Sequence, residues 1–230
     1  NELQYAWTTS WGLSTRMIGA IIMTHGDDQG LVLPPRLAPI QVVIVPIYKN
    51  DEERSRVLEV VERIRQELAQ FRVKVDDRVE LTPGYKFNDW EMKGVPLRIE
   101  IGPKDLEKGT LALARRDLPG KAGKSFVPQT QISQQVEQVL ESIQKSLFER
   151  ALAFRKSNTH EAATYPELVE VVQNGWALSW WCESAECEAK VKEETKATTR
   201  CIPLDQETGT GRCVVCGEPA QRKVIFARAY

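Results

Sequence analysis

The sequence predicts an α/β protein: a mixed-sheet domain followed by a small α+β domain braced by a metal ion. Three observations predict it. Apolar runs of strand length alternate with helical periodicities from Gln41 to about Lys156, the pattern of a βαβ-type sheet. A proline-rich stretch, Leu33-Pro34-Pro35-Arg36-Leu37-Ala38-Pro39, separates that block from what precedes it. Two cysteine pairs, Cys182/Cys187 and Cys213/Cys216, lie in a C-terminal block of about 70 residues. An apolar core alone is marginal at that size, and a structural metal contributes most there.

The elements follow in order. Gln4 to Gly12 is aromatic and β-branched and is expected to be a strand. Leu13 to His25 has helical spacing, with Leu13, Met17, Ile18, Ile21 and Ile22 on one side. Gly26-Asp27-Asp28-Gln29-Gly30 ends that helix in a turn. Gln41 to Ile47 is a nearly unbroken apolar run, as in a strand covered on both faces. Asp51 to Gln70 is an amphipathic helix with Val57, Val61, Ile64 and Leu68 as its buried stripe. Phe71 to Val75 is a strand, Gly84 to Lys93 a short helix, and Leu97 to Ile101 alternates like a half-exposed strand. Thr110 to Arg115 and Ser125 to Val127 are two more strands, before a long helix marked by Ile132, Val136, Val139, Leu140, Ile143 and Leu147. Beyond Ser157 come a tryptophan-rich stretch, a charged helical run from Glu183 to Lys196 and an apolar strand from Val224 to Ala229.

Composition excludes several classes of function. Thirty-one Lys and Arg against 32 Asp and Glu give a formal charge of -1 over 230 residues, so any pull towards nucleic acid comes from a local patch. No apolar run reaches the ~18–20 residues of a membrane span. The start, Asn1-Glu2-Leu3-Gln4, resembles no secretion signal and lacks an initiating Met; the chain is expected to begin within a longer protein and to reside in the cytoplasm. The cysteine spacing fits a zinc site of Cys182, Cys187, Cys213 and Cys216, with disulfides as the competing reading and a reducing compartment favouring metal. Cys201 is expected to be a small buried apolar residue of a strand.

Arg16, after Ser14 and Thr15, places a guanidinium beside the free N–H groups of a helix start; the pair suits phosphate, and an ordinary capped surface helix is the alternative. The wider context gives this segment a meaning. Trp7-Thr8-Thr9-Ser10-Trp11-Gly12-Leu13-Ser14-Thr15-Arg16-Met17-Ile18-Gly19-Ala20, followed by His25 to Pro35, closely resembles motif three of prolyl-tRNA synthetases, a class II aminoacyl-tRNA synthetase family. The match is to the branch with an additional C-terminal zinc domain. Pro83 to Leu106, including Pro83-Gly84-Tyr85-Lys86-Phe87 and Leu97-Arg98-Ile99-Glu100-Ile101-Gly102-Pro103-Lys104-Asp105, is similar to that branch's anticodon-binding domain.

The resemblance implies three parts: the end of a class II antiparallel catalytic domain (1–35), an anticodon-binding domain (36–157) and a zinc-binding domain (158–230). It implies that Arg16 contacts ATP phosphates, that Ser14 helps hold the nucleotide, and that Ser10, Trp11 and Gly12 line the proline pocket. His25 is expected to be structural, capping the helix end. The parent enzyme would use ATP with Mg²⁺ to activate proline, transfer it to proline tRNA, and work as a homodimer. The family's other two motifs are absent from these residues, so this chain alone is expected to be inactive. A non-catalytic tRNA-binding module is the rival reading, and Arg16 argues against it.

Proline anticodons share two guanines, whose edges offer donors to a carboxylate and acceptors to Arg or Lys. Glu100 beside Arg98 and Lys104, with Arg115 and Arg116 on the next strand, fits that pairing; a solvated sheet edge is the competing account. From Pro103 to Pro128 six basic residues (Lys104, Lys108, Arg115, Arg116, Lys121, Lys124) face three acidic ones (Asp105, Glu107, Asp117), enough to follow phosphates locally. The final Tyr230 either covers a corner of the zinc domain's core or carries its carboxylate towards the active site.

Overall fold

The computed structural model describes every residue except Asn1, Glu2, Tyr5, Trp7, Glu207, Thr208 and Tyr230. The readings placed on Tyr230 therefore lie outside the described residues. The chain divides into two compact units, Asn1–Ala151 and Leu152–Tyr230. No helix of the described residues is long and apolar enough to cross a membrane.

In the first unit, α1 (Arg16–His25) starts three residues later than the spacing suggests. Its apolar residues Met17, Ile18, Ile22 and Met23 are exposed, as are Trp11 and Leu13 before it. The strand expected over Gln4 to Gly12 does not form among its described residues. A strand persists only where a neighbour pairs with its N–H and C=O groups, and none of the recorded strand pairings involves this segment.

The sheet of this unit has β1 (Val42–Pro46), β2 (Val73–Val75), β3 (Leu97–Ile101), β4 (Thr110–Arg115) and β5 (Lys124–Pro128), in the spatial order β2-β1-β3-β4-β5. β1 runs parallel to β2 and β3, and β4 is antiparallel to both of its neighbours, β3 and β5. The parallel pairs require crossovers, supplied by α2 (Asp51–Glu67) and α3 (Pro83–Met92). Asn50 caps α2 by accepting from the Glu53 N–H, and Asp51, Glu52 and Glu53 sit where the helix dipole favours negative charge. A short α4 (Pro103–Lys108), unforeseen in the sequence, turns β3 back into β4. α5 (Ile132–Ser157) closes the layer.

One face of the sheet, through Ile44, Leu97, Ile99, Ile101, Leu111 and Leu113, packs under Val57, Val61 and Ile64 of α2 and Val136, Leu140, Ile143 and Leu147 of α5. On the other face, Val43 and Val45 pack with Trp90 and Val95 beneath α3. β1 is thus buried on both sides, as its continuous apolar run requires. β3 was expected to be half exposed, yet only Arg98 remains partly accessible and Glu100 is buried. Ion pairing makes this burial tolerable: a buried carboxylate persists when charged donors satisfy it, and Arg98 and Lys124 both do so.

In the second unit β6 (Thr159–Glu161), β7 (Trp176–Trp181), β8 (Ala197–Cys201) and β11 (Arg222–Arg228) form a sheet in the order β6-β7-β11-β8, while β9 (Gly211–Arg212) and β10 (Pro219–Ala220) make a small hairpin. Leu168 of α6 (Tyr165–Val171) and Val191 of α7 (Ala185–Thr195) pack with Ala177, Val224 and Phe226. Cys201, the last residue of the edge strand β8 and paired with Ile225, is exposed rather than buried, because an edge strand has a neighbour on one side alone.

Candidate nucleic-acid interface and metal centre

A cavity of about 560 Å³ opens on the α3 side of the first unit's sheet, lined in part by Asp27, Glu91, Arg98, Arg115, Arg116 and Asp117. Arg98 organises it. Its Nη1 donates to Glu91 Oε1 at 2.7 Å, and its Nε and Nη2 both donate to Glu100 Oε1 at 3.1 Å. Its guanidinium lies 4.1 Å from the centre of the Phe87 ring. Lys124 of β5 completes the array, with Nζ donating to Glu100 Oε2 at 2.6 Å. Two cations therefore hold Glu100, while Glu91 keeps a third of its side chain in solvent. The most accessible group of the array is the Glu91 carboxylate, while the Arg98 guanidinium is largely buried against Glu91, Glu100 and Phe87.

The five residues expected to form a tRNA surface do not all converge. Arg98 and Glu100 share one face of β3, and Arg115 lines the same cavity while forking onto Asp117 at 3.0 and 2.8 Å. Lys104 lies exposed in α4, beyond the end of β3 opposite to Arg98. Arg116 is not a surface cation: its guanidinium grips Asp27 at 2.8 and 2.5 Å, and its Nε donates to the Glu91 carbonyl at 2.9 Å. Only 5% of its side chain is exposed, and its hydrogen bond with Arg116 lowers the pKa of Asp27. An arginine following a strand carries no sequence mark of this inward turn. Phe87, Glu91 and Lys124 join the array without a strong mark in the sequence: Lys124 stands there as local charge, and the helical phasing of Phe87 and Glu91, four residues apart, is the available signal.

At the motif-three segment, Ser10, Trp11, Gly12, Ser14 and Arg16 are all exposed. The Arg16 N–H donates to Ser14 Oγ at 3.3 Å, while the N-cap Thr15 makes no capping bond through its side chain. Arg16 is thus the first helical residue and is exposed, while the N–H groups of Met17 and Ile18 donate to the Ser14 and Thr15 carbonyls. His25 does not cap the helix with its ring; its Nδ1 is buried without a partner in the structure, and burial together with the nearby Arg150 lowers its pKa.

Cys182 follows β7, Cys187 lies in the first turn of α7, and Cys213 and Cys216 flank the turn between β9 and β10. In that turn the Gly217 N–H returns to the Cys213 carbonyl at 2.9 Å, with Gly217 at φ 77, a left-handed conformation that favours glycine. The four sulfurs lie within 4.8 Å of one another, with Cys182 Sγ 3.6 Å from Cys187 Sγ and 3.7 Å from Cys216 Sγ. A tetrahedral ion with Zn–S bonds of about 2.3 Å has sulfur–sulfur edges of about 3.8 Å, so the cluster has the dimensions to hold a zinc ion. Disulfide sulfurs lie near 2.05 Å, and all five cysteines are free. Burial pushes the Cys182 and Cys187 thiols up; at Cys213 burial is outweighed by backbone N–H donors from Cys216, Val215 and Cys182, which bring it down to about 7.

Residues 41–147 match the family described as anticodon binding domain, and residues 165–230 match the family described as prolyl-tRNA synthetase, C-terminal. The whole chain is 62% identical to a proline–tRNA ligase of Chloroflexus aggregans, covering 48% of it. It is also 51% identical to a chloroplastic/mitochondrial proline–tRNA ligase of Arabidopsis thaliana, covering 43% of that protein. A proline–tRNA ligase of Natranaerobius thermophilus is 48% identical over the whole chain, which covers 48% of it. The chain spans about half the length of these relatives. With a mixed-sheet anticodon-binding domain and a four-cysteine C-terminal domain matched in order, the chain belongs to the prolyl-tRNA synthetase family.

Proposed function

We propose that this chain supplies tRNA recognition to a proline–tRNA ligase. The parent protein would form prolyl-adenylate from proline and ATP, then transfer the prolyl group to proline tRNA. The single observation that carries the reading is the Glu91–Arg98 pair in the cavity lining, backed by Glu100 and Lys124, because it would offer a paired carboxylate and cation to a guanine edge. The division into 1–35, 36–157 and 158–230 belongs to the same reading. Ser14 and Arg16 would lie against the phosphates of ATP, whose Mg²⁺ arrives with the nucleotide, and Ser10, Trp11 and Gly12 against proline. Positioning and charge neutralisation are the main demands of in-line displacement at phosphorus, so no general base is assigned to this chain.

Four thiolates would hold one structural Zn²⁺ with no open position for a reacting ligand. Free cysteines suit a reducing compartment such as the cytoplasm. The homodimer carried by the family resemblance concerns the parent protein.

Binding of this chain to a proline-anticodon stem-loop tests the reading. Replacing either shared guanine by adenine should weaken binding about tenfold or more, since one mismatched edge costs about 1–3 kcal/mol. Affinity should also fall with added salt. Equal affinity for cognate and substituted loops overturns the reading.

A further inference from the structure

Phe126 has no role in the account so far, and its setting is unusual. It lies on β5, one of the two edge strands of the sheet. Val127 packs into the core on the helix-covered face, so strand alternation turns Phe126 to the face that carries Arg98 and Glu100. Its registered partner on β4 is Ala112, with Ala114 opposite Lys124. Neither alanine can cover an aromatic ring, and Phe126 is 65% exposed. Edge strands are normally protected by charge or proline; an uncovered ring there suggests a ligand that covers it.

The neighbours on this face favour one occupant. Lys124 Nζ lies 5.8 Å from the Phe126 ring centre and also donates to Glu100 at 2.6 Å, which joins the ring to the guanine-binding array through one side chain. From Pro119 to Pro128 the chain has two lysines, Lys121 and Lys124, and no acidic residue. An apolar protein partner needs contiguous apolar surface, whereas this floor offers two alanines between Phe126 and the Arg98–Glu100 pair. An exposed aromatic ring beside a lysine and over small residues is an arrangement on which unpaired bases stack.

We propose that Phe126 is a stacking platform for one unpaired base of the anticodon loop, next to the guanine held by Arg98. The assignment rests on the anticodon reading above and adds a contact that tolerates any base, because every base has a π-face. Stacking binds the loop without reading its sequence; Arg98 and its carboxylates do the reading.

The test titrates this chain and its Phe126→Ala, Phe126→Leu, Phe126→Tyr and Arg98→Ala variants with a proline-anticodon stem-loop carrying 2-aminopurine at each unpaired position in turn. Phe126→Ala should weaken binding about five- to a hundredfold, the range for one lost base stack. Phe126→Leu should lose nearly as much and Phe126→Tyr little. One labelled position should be quenched on binding and should regain its fluorescence with Phe126→Ala. Thermal stability should stay unchanged, because the ring is mostly in solvent. Wild-type affinity for Phe126→Ala or Phe126→Leu overturns the platform, and if Arg98→Ala still loses binding the anticodon reading survives alone. Failure of the unaltered chain to bind the loop overturns both. Loss with Phe126→Ala but no quenched position points instead to an indirect effect of the ring on the loop's other contacts and also rejects the platform.

Discussion

Asp76 shows how much a single buried charge can matter. Its side chain is 1% exposed at the end of β2, a position that by itself would raise its pKa. Arg78 answers with two hydrogen bonds of 2.8 and 2.7 Å and Trp90 Nε1 with one of 2.7 Å, while Lys86 Nζ donates to the Asp76 carbonyl at 3.1 Å. Burial is the largest influence and opposes ionisation, but Arg78 and Trp90 prevail and hold the carboxyl at about 2. The folded value lies below the unfolded one of about 3.9, so the charge stabilises the fold fully above that value. The contribution is lost as the pH falls through about 2. Unfolding at a series of pH values should show wild type losing about 2 kcal/mol more than Asp76→Asn between about pH 5 and pH 2. Parallel curves for the two proteins would show that Asp76 carries no linked proton.

At the level of elements, the segment after α1 is held along the end of α3. The Leu31 N–H donates to the Met92 carbonyl at 3.0 Å and the Leu33 N–H to the Gly94 carbonyl at 3.2 Å. Gly30, at φ 123, lies so close that a Cβ there would meet the Met92 carbonyl oxygen at 2.6 Å. The Arg116 fork on Asp27 fastens the start of this stretch, and Arg116 Nε also holds the Glu91 carbonyl, beside the side chain that pairs with Arg98. Arg116→Ala should therefore loosen the stretch locally without unfolding the sheet. Amide hydrogen exchange at Leu31 and Leu33 should quicken about tenfold or more, as local opening becomes about 1–2 kcal/mol easier. Unchanged exchange at both amides would show that the backbone ladder alone suffices.

At the level of the whole molecule, the two units draw on different sources of stability. Asn1–Ala151 has a large core between sheet and helices, whereas Leu152–Tyr230 has a smaller one around Phe226 and the four-sulfur cluster. Metal analysis of the purified chain should give about one zinc per chain, as expected for one four-thiolate site. Removing it with a chelator, or Cys213→Ser, should lower the melting of the second unit while the first keeps its transition. A metal-free chain with both transitions intact would remove zinc from the account.

What the sequence determined by itself is what consecutive residues can express. Val57, Val61, Ile64 and Leu68 recur at helical spacing, Gln41 to Ile47 is apolar enough for a doubly covered strand, and the two cysteine pairs are spaced for a metal; all three readings depend on local period or on identity at fixed separation. The tertiary structure decided which distant side chains meet. Glu100 is satisfied by Lys124, 24 positions away, because β4 lies between β3 and β5 in a register that no local period encodes. Arg116 turns inward to Asp27, 89 positions away, where the sequence showed only one more basic residue on a strand. The aromatic, β-branched stretch before α1 has strand propensity but no recorded strand pairing among the described residues. Propensity biases one segment, but hydrogen-bond partners and charge partners are fixed only when separate segments pack together.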